Sequence, residues 1–84
     1  MDLEDLRRAR RTVTGTKQTE KVVDNGKAMH VFVACDADER VTRPVLESCK
    51  RQNIPVTMVD TMEQLGKACS IKVGAAMAAI VPED

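Results

Sequence analysis

Apolar residues occur in two kinds of pattern along the chain, and their alternation predicts an α/β domain. Three short runs rich in branched apolar residues predict strands with buried character: MHVFVAC, IPVTMVD and AAMAAIV. Segments with apolar residues at helical spacing precede and separate these runs, and a polar tail, PED, follows the last one. We therefore predict one domain over residues 1–84, with helices on both faces of one small sheet.

Two of the predicted helices come before the first apolar run. In DLEDLRRARRTV, apolar residues recur every three positions, and the order of acids before arginines complements a helix dipole. After Gly15, Thr16 is placed to cap a second helix that ends at Asn25 and Gly26. The spacing predicts this inward face for the second helix: Thr19, Val22, Val23 and Gly26.

Two further helices are predicted after the first apolar run. One follows DADER and closes near Asn53, with Pro44 in its first turn, where the missing N–H costs little. Its apolar side consists of Val41, Val45, Leu46 and Cys49. Thr61 and Gln64 then predict a capping box at the start of a short fourth helix.

Composition and charge narrow the possible classes of protein. The apolar content of 43% suits a small packed globule, and the 13 basic and 13 acidic side chains do not by themselves predict nucleic-acid binding. The distribution is uneven, because six basic residues and one acid lie between Arg7 and Lys21. The chain contains neither a signal-peptide pattern nor an apolar stretch that approaches about 18 residues. We expect a cytoplasmic monomer that does not interact with membranes.

The cysteines and the histidine are predicted to be structural. Cys35, Cys49 and Cys69 are odd in number, widely spaced and embedded in apolar patterns, which favours buried, reduced thiols. His30 lies in an apolar run, which favours a packed or edge position, and the spacing of these residues builds no zinc motif. We therefore expect no metal site.

An acidic group follows the first predicted strand and requires a choice between catalysis and capping. Asp36 and Asp38 stand where paired carboxylates could hold magnesium or act as nucleophile and acid. Because Asp60 completes no such site, helix capping is the favoured interpretation, and a small phosphotransfer or hydrolase-like enzyme stays as an alternative. The P-loop and GxGxxG patterns are absent, and no Ser or Cys is tied to a base by a recognisable motif. We expect no enzyme activity, no catalytic residues and no cofactor.

The stretch GTKQTEK breaks a local rule of helix formation. Lys17 lies at the start of a predicted helix, where a cation opposes the dipole unless an anion compensates it. Gln18 offers both a donor and an acceptor, and Lys17 can donate to guanine acceptors. This stretch is either a solvated helix start or a site for an anionic ligand.

The stretch SIKVGAA places two branched apolar residues, Ile71 and Val73, on either side of Lys72 in a predicted loop. Such side chains are seldom left in water. They either tuck under the sheet or cover the flat face of a ligand, and the pattern by itself favours tucking.

Together, GTKQTEKVVDNGKA, VFVACDAD and LGKACSIKVGAAMAAI resemble the kink-turn RNA-binding ribosomal protein family, and the bacterial YbxF-type proteins most of all. The resemblance runs from Arg7 to Val81. It implies a three-layer α/β/α sandwich on a four-stranded mixed sheet, in which TVT near Val13 is the first strand. It also implies binding to RNA that contains a kink-turn, in ribosomal RNA, a riboswitch or the ribosome itself.

The same resemblance implies which residues contact RNA. A glycine-led helix start meets guanine edges and phosphates at tandem sheared G·A pairs, and an apolar loop covers unpaired nucleotides. The residues implied here are Gly15, Thr16, Lys17, Gln18, Thr19 and Lys21 in the first element, and Ile71, Lys72 and Val73 in the second. An alternative function is a small module that binds another protein through the loop around Ile71–Val73.

Three positions depart from the pattern of the family. Ser70 stands where glycine is common, Lys72 where an acid is common, and Glu39 where proline is usual. The first two lie in the RNA-facing loop, so they bear on its conformation and on RNA affinity more than on the fold.

Overall fold

The computed structural model describes residues 2–82 and contains all of the predicted elements. The helices are α1 (Leu3–Arg8), α2 (Thr16–Asp24), α3 (Glu39–Gln52) and α4 (Met62–Ala68). The strands are β1 (Thr12–Thr14), β2 (His30–Ala34), β3 (Val56–Val59) and β4 (Met77–Ile80). The last two residues of the predicted tail PED lie outside the described residues.

The four strands form one mixed sheet in the order β1-β4-β2-β3. β4 pairs antiparallel with both β1 and β2, and β2 pairs parallel with β3. β2 is buried over its whole length because it has a strand on each side and helices pack on both of its faces. The prediction that β3 is equally buried is wrong: it lies at the edge of the sheet, Val59 is its one buried residue, and Met58 is half exposed.

Alternate side chains of the sheet pack against two different pairs of helices. Phe32 and Ala34 of β2 lie in a core with α1 and α4, whereas Val31 and Val33 lie in a second core with α2 and α3. Because successive side chains of a strand point to opposite faces, a continuous apolar run supplies both cores. The predicted three-layer α/β/α sandwich is confirmed.

Two details of the helices differ from their predictions. α3 begins at Glu39, so Pro44 lies in its second turn and not in its first. The Asp38 side chain accepts a hydrogen bond from the Arg40 N–H, and this cap starts the helix earlier than Pro44 suggests. On α2, Thr19 and Val23 are buried as predicted, but Gly26 lies beyond the helix and is exposed.

Several chain segments meet at one end of the sheet, where β1, β2 and β3 finish and β4 begins. We call this end the Gly15 edge. The Gly15 N–H donates to the Met77 carbonyl (3.0 Å), and the Ala34 N–H donates to the Ala76 carbonyl (2.9 Å). α2 therefore starts beside the segment that leads from α4 into β4. Among residues 2–82, every helix is too short or too polar to cross a membrane.

Candidate nucleic-acid interface

The turn into α2 is built on Gly15. Its backbone has φ 99° and ψ 159°, in a region that favours glycine, and Gly15 is the N-cap of the helix. Its carbonyl accepts the first helical hydrogen bond, from the Thr19 N–H at 3.0 Å. The prediction that Thr16 caps the helix is therefore wrong, because the glycine conformation starts the helix one residue earlier and makes Thr16 its first member.

The N-terminus of α2 has no side-chain acceptor. Asp2, Asp38 and Thr61 cap the other helices with side-chain oxygens. In α2 there is no such bond, and its first turn holds no acidic residue. The first N–H groups of a helix have no partner within it, and together they carry a partial positive charge. Among the helices of residues 2–82, α2 alone has no side-chain oxygen that accepts from its first N–H groups.

The side chains of this first turn differ in what they can reach. Lys17, Gln18 and Lys21 are exposed, and Thr16 is half-buried. Thr19 has no exposed surface, so a ligand at the helix start cannot touch its side chain. Its hydroxyl oxygen is buried and has no hydrogen-bond partner.

The segment after α4 leaves its apolar side chains in solvent. Val73 is 71% exposed and Ile71 is 36% exposed, and Lys72 between them is also exposed. The prediction that these side chains tuck under the sheet is wrong, because the segment turns away from the core at Ser70, which has φ 62°. A non-glycine residue in this left-handed region is uncommon.

The backbone of this segment is nevertheless held closely on α4. The Ile71 N–H donates to the Gly66 carbonyl at 3.1 Å, and the Ala75 N–H donates to the Met62 carbonyl at 3.0 Å. A Cβ atom at Gly66 would overlap the Val73 carbonyl oxygen, so the approach requires glycine there. We call Ser70–Val73 the cover loop: its backbone is fixed on α4 while Ile71 and Val73 face outward.

The acidic group after β2 acts in helix capping. Asp38 accepts from the Arg40 N–H (2.9 Å) and pairs with the Arg40 guanidinium (2.8 Å). The hydrogen bonds from the Arg40 side chain and backbone lower the pKa of Asp38. Asp36 accepts from the Met62 N–H at 2.8 Å and so caps α4, which is not the next helix along the chain. Within residues 2–82, no group of three or more His, Cys, Asp or Glu side chains is placed to hold a metal ion.

The prediction that the cysteines are buried is confirmed for Cys49 but not for Cys35. The cysteines are free; Cys49 is buried, Cys69 is partly buried and Cys35 is exposed. Desolvation raises the pKa of the Cys49 thiol. Cys35 is exposed because it follows the last residue of β2, where the chain leaves the sheet.

His30 is packed, as predicted. It is 5% exposed, its Nε2 lies 2.7 Å from the Thr57 hydroxyl, and its ring lies against Phe32 with centroids 4.8 Å apart. Because burial disfavours the charged imidazolium, the pKa of His30 is lowered.

A model of the ribosomal protein L7Ae/L30e/S12e/Gadd45 family matches residues 2–84. The chain belongs to this family. It is 51% identical over 81 residues to an RNA-binding protein of Geobacillus sp. strain WCH70, covering 96% of this chain and 99% of that protein. The RNA-binding protein YbxF of Geobacillus stearothermophilus is 46% identical over 81 residues, with the same coverage. The predicted resemblance to this ribosomal protein family and to YbxF is confirmed.

A solved structure of the same fold is the 15.5 kD RNA-binding protein of Giardia lamblia. It superposes on this L7Ae-family chain with a TM-score of 0.85 and 26% sequence identity. The match covers 98% of this chain and 72% of the other. The sandwich described above is therefore shared with a solved RNA-binding protein.

Sequence reasoning missed the residues that shape the cover loop of this L7Ae-family chain. Gly66 stands inside a helical pattern, and a glycine in such a place often marks a close backbone approach. That signal is present in the sequence. The bond between Asp36 and Met62 has no such signal, because it joins segments that only the tertiary fold brings together.

Proposed function

We propose that this protein binds RNA and recognises kink-turns, in which tandem sheared G·A pairs sit beside unpaired nucleotides at a sharp bend. Membership of the ribosomal protein family and the similarity to RNA-binding proteins support the first part. The geometry of the Gly15 edge supports the second. The observation that carries it is the N-terminus of α2, which has neither a side-chain cap nor an acidic residue, at the same edge as the exposed cover loop.

The start of α2 supplies the polar half of the proposed interface. Backbone N–H groups after Gly15 are donors for phosphate oxygens, and the positive end of the helix favours negative charge. Lys17 and Gln18 reach outward to guanine O6 and N7 and to neighbouring base edges, and Lys21 lies one turn further on. Thr16 borders this turn, whereas Thr19 supports it from inside, because its side chain is buried and its N–H donates to the Gly15 carbonyl.

The cover loop supplies the apolar half. Ile71 and Val73 present aliphatic surface of the kind that packs on the flat face of an unstacked base. Lys72 stands between them and is exposed to a nearby phosphate. A kink-turn offers both features within one compact bend, which is why the two halves of the interface fit one RNA motif.

Binding needs no chemistry. RNA that carries a kink-turn exchanges between extended and bent forms, and a protein that binds only the bent form shifts the population toward it. The rigid sandwich fixes the separation between the start of α2 and the cover loop. An interface of fixed geometry therefore selects the bent RNA over the extended one.

The cellular partner we propose is ribosomal RNA or a structured messenger RNA such as a riboswitch, bound by a monomer in the cytoplasm. Recognition of shape and of G·A pairs does not depend on the origin of the RNA. We propose one RNA-binding domain for the whole chain and a binding role, not an enzymatic one.

The function is tested by a gel-shift titration at physiological salt with two RNAs. One RNA carries a kink-turn, and in its control the two G·A pairs are replaced by Watson–Crick pairs. We expect tight binding to the first and weak binding to the second. Equal or absent binding would contradict the proposal, and a stable protein partner that resists RNase would then favour the protein-binding alternative.

The interface is tested by variants of the same protein. A good bidentate guanine contact is worth about 1–3 kcal/mol, so Lys17→Ala combined with Gln18→Ala should abolish the preference for the kink-turn. Its thermal stability should stay nearly unchanged, because both side chains are exposed. Lys50→Ala is the matched control for the removed charge: it deletes an exposed helical lysine from the last turn of α3 and should leave the preference intact.

A further inference from the structure

We propose that Asp36 positions the cover loop without contacting RNA, and that its carboxylate thereby sets RNA affinity. This inference rests on the proposed function for its effect on RNA, but its structural part concerns the free protein. Asp36 lies two residues after β2, and the loop it would control follows α4 in the chain. The connection between them runs through the first turn of α4.

The first step is a hydrogen bond between two segments that are distant in the chain. Asp36 Oδ1 accepts from the Met62 N–H at 2.8 Å, and Met62 is the first residue of α4. Thr61 caps the same helix by accepting from the Gln64 N–H at 3.1 Å. Asp36 therefore serves a second N–H group that Thr61 leaves open, and it ties the start of α4 to the end of β2. A charged acceptor makes this the stronger kind of hydrogen bond.

The second step joins Met62 to the end of the cover loop. The Met62 carbonyl accepts from the Ala75 N–H at 3.0 Å. Gly74 also packs against this residue, since a Cβ at Gly74 would lie 3.1 Å from the Met62 Cβ. Met62 thus donates its N–H to Asp36 and accepts the Ala75 N–H on its carbonyl, so it links Asp36 to the segment after Val73. A shift of the first turn of α4 would move the base of the loop.

The third step concerns the other end of the same loop. The Ile71 N–H donates to the Gly66 carbonyl, and Gly66 lies against the Val73 carbonyl. Both ends of the loop therefore rest on α4, which is a helix of only seven residues. The outward side chains of the loop, Ile71 and Val73, are exposed, so packing against the core does little to fix their positions. The position of α4 accordingly decides where they stand relative to the start of α2.

Substitution of Asp36 distinguishes a positioning role from a direct electrostatic effect on RNA. Removing a carboxylate near a bound RNA should strengthen the attraction of the protein for phosphates. Removing the hydrogen bond should misplace the cover loop and weaken binding. The two effects have opposite signs, so the direction of the change identifies the cause.

The structural part is tested by NMR on the free protein. We compare the methyl resonances of Ile71 and Val73 and the hydrogen exchange of the Ala75 N–H in wild type, Asp36→Ala and Asp36→Asn. Asp36→Ala should shift both methyl signals and speed the exchange of Ala75. Asp36→Asn should restore them largely, because the amide oxygen can still accept from Met62. Unmoved loop signals in Asp36→Ala would overturn the proposal.

Two control variants exclude simpler explanations. Asp2→Ala removes another N-cap carboxylate, the one that accepts from the Glu4 and Asp5 N–H groups of α1, and should lower stability without moving the loop signals. Asp60→Ala removes an exposed carboxylate that directly precedes the cap of α4. It should not weaken RNA binding. If Asp2→Ala moves the loop as far as Asp36→Ala does, the effect is general destabilisation and the proposal is wrong.

The effect on RNA is measured with the kink-turn RNA of the gel-shift titration. Asp36→Ala should bind about tenfold more weakly than wild type, which is the scale of one hydrogen bond to a charged group, and Asp36→Asn should recover most of the affinity. Equal affinity of Asp36→Ala and Asp36→Asn, which both lack the charge and differ in the hydrogen bond, would overturn the link to RNA. If wild type itself does not discriminate between the two RNAs, the proposed function fails while the NMR experiment still decides the positioning role.

Discussion

Thr19 shows how one buried side chain separates a structural role from a binding role. Its hydroxyl has no partner and no exposed surface, and leaving a buried polar group unpaired costs about 1–3 kcal/mol. We expect Thr19→Val, which keeps the shape and removes the hydroxyl, to raise the melting temperature by several degrees, corresponding to about 1 kcal/mol. Thermal unfolding checks this. A lower melting temperature, or an altered affinity for RNA, would show that the hydroxyl has a function that its burial conceals.

His30 makes the stability of the fold depend on pH. Its pKa is lowered from 6.5 by burial, so the unfolded chain binds a proton at a pH where the folded protein does not. The contribution of neutral His30 to the free energy of unfolding should therefore be fully present above about pH 6.5. It should be lost as the pH falls through 6.5 toward the lower pKa of the folded state. Urea unfolding at several pH values between about 7.5 and 5 measures this dependence.

His30→Gln is the control for that measurement. Glutamine can still bond the Thr57 hydroxyl and does not titrate in this range. The free energy of unfolding of this variant should vary less with pH than that of wild type over the same range. An equal dependence in both proteins would assign the effect to other groups.

At the scale of elements, the packing of α4 against the cover loop depends on Gly66. Because a side chain there would overlap the Val73 carbonyl, Gly66→Ala should push the loop away from the helix. Alanine favours a helix by about 1 kcal/mol over glycine, so any decrease in stability has to come from the displaced loop. We expect lower stability and weaker binding to kink-turn RNA, measured by thermal unfolding and gel shift. A more stable variant with unchanged affinity would contradict the close approach.

At the scale of the whole molecule, Arg8, Arg10 and Arg11 line one hollow with Ile80 and Val81, away from the Gly15 edge. Arg11 precedes β1, and its carbonyl accepts from the Val81 N–H at the opposite end of the sheet from Gly15. We expect replacement of all four arginines between residues 7 and 11 by glutamine to preserve the discrimination between the kink-turn and its control. The slope of log K against log salt should become shallower, by up to about 0.9 for each phosphate that the variant no longer neutralises.

Lys17→Gln is the comparison for the arginine variant, since it removes a charge at the Gly15 edge. It should reduce both the salt slope and the discrimination between the two RNAs. Loss of discrimination in the arginine variant, with Lys17→Gln unaffected, would place RNA recognition at the other end of the sheet. Titrations at several salt concentrations provide both quantities.

A feature of this molecule is predictable from the sequence when the residues that determine it are close together in the chain. The continuous apolar run MHVFVAC predicts a buried strand, and the structure confirms it, because both faces of β2 are covered. IPVTMVD is a similar apolar run, yet β3 is an edge strand, because a local sequence pattern does not determine the order of strands in a sheet. The expectation that Val73 tucks away is wrong for a similar reason: the pattern shows an apolar side chain but not the turn at Ser70 that exposes it.

The sequence by itself determined the alternation of helices and strands, the buried character of the central strand, and a glycine-led basic helix start. These features follow from periodicity and backbone preference within a few residues. Only the tertiary structure decided that Gly15 and not Thr16 caps α2, that Val73 is exposed, and that Asp36 caps α4. The exposure of Val73 goes with the close approach of its carbonyl to Gly66, within one segment. The other two features depend on interactions between distant segments: Gly15 with Met77, and Asp36 with Met62. Local patterns carry no information on such pairs until the sheet order brings them together.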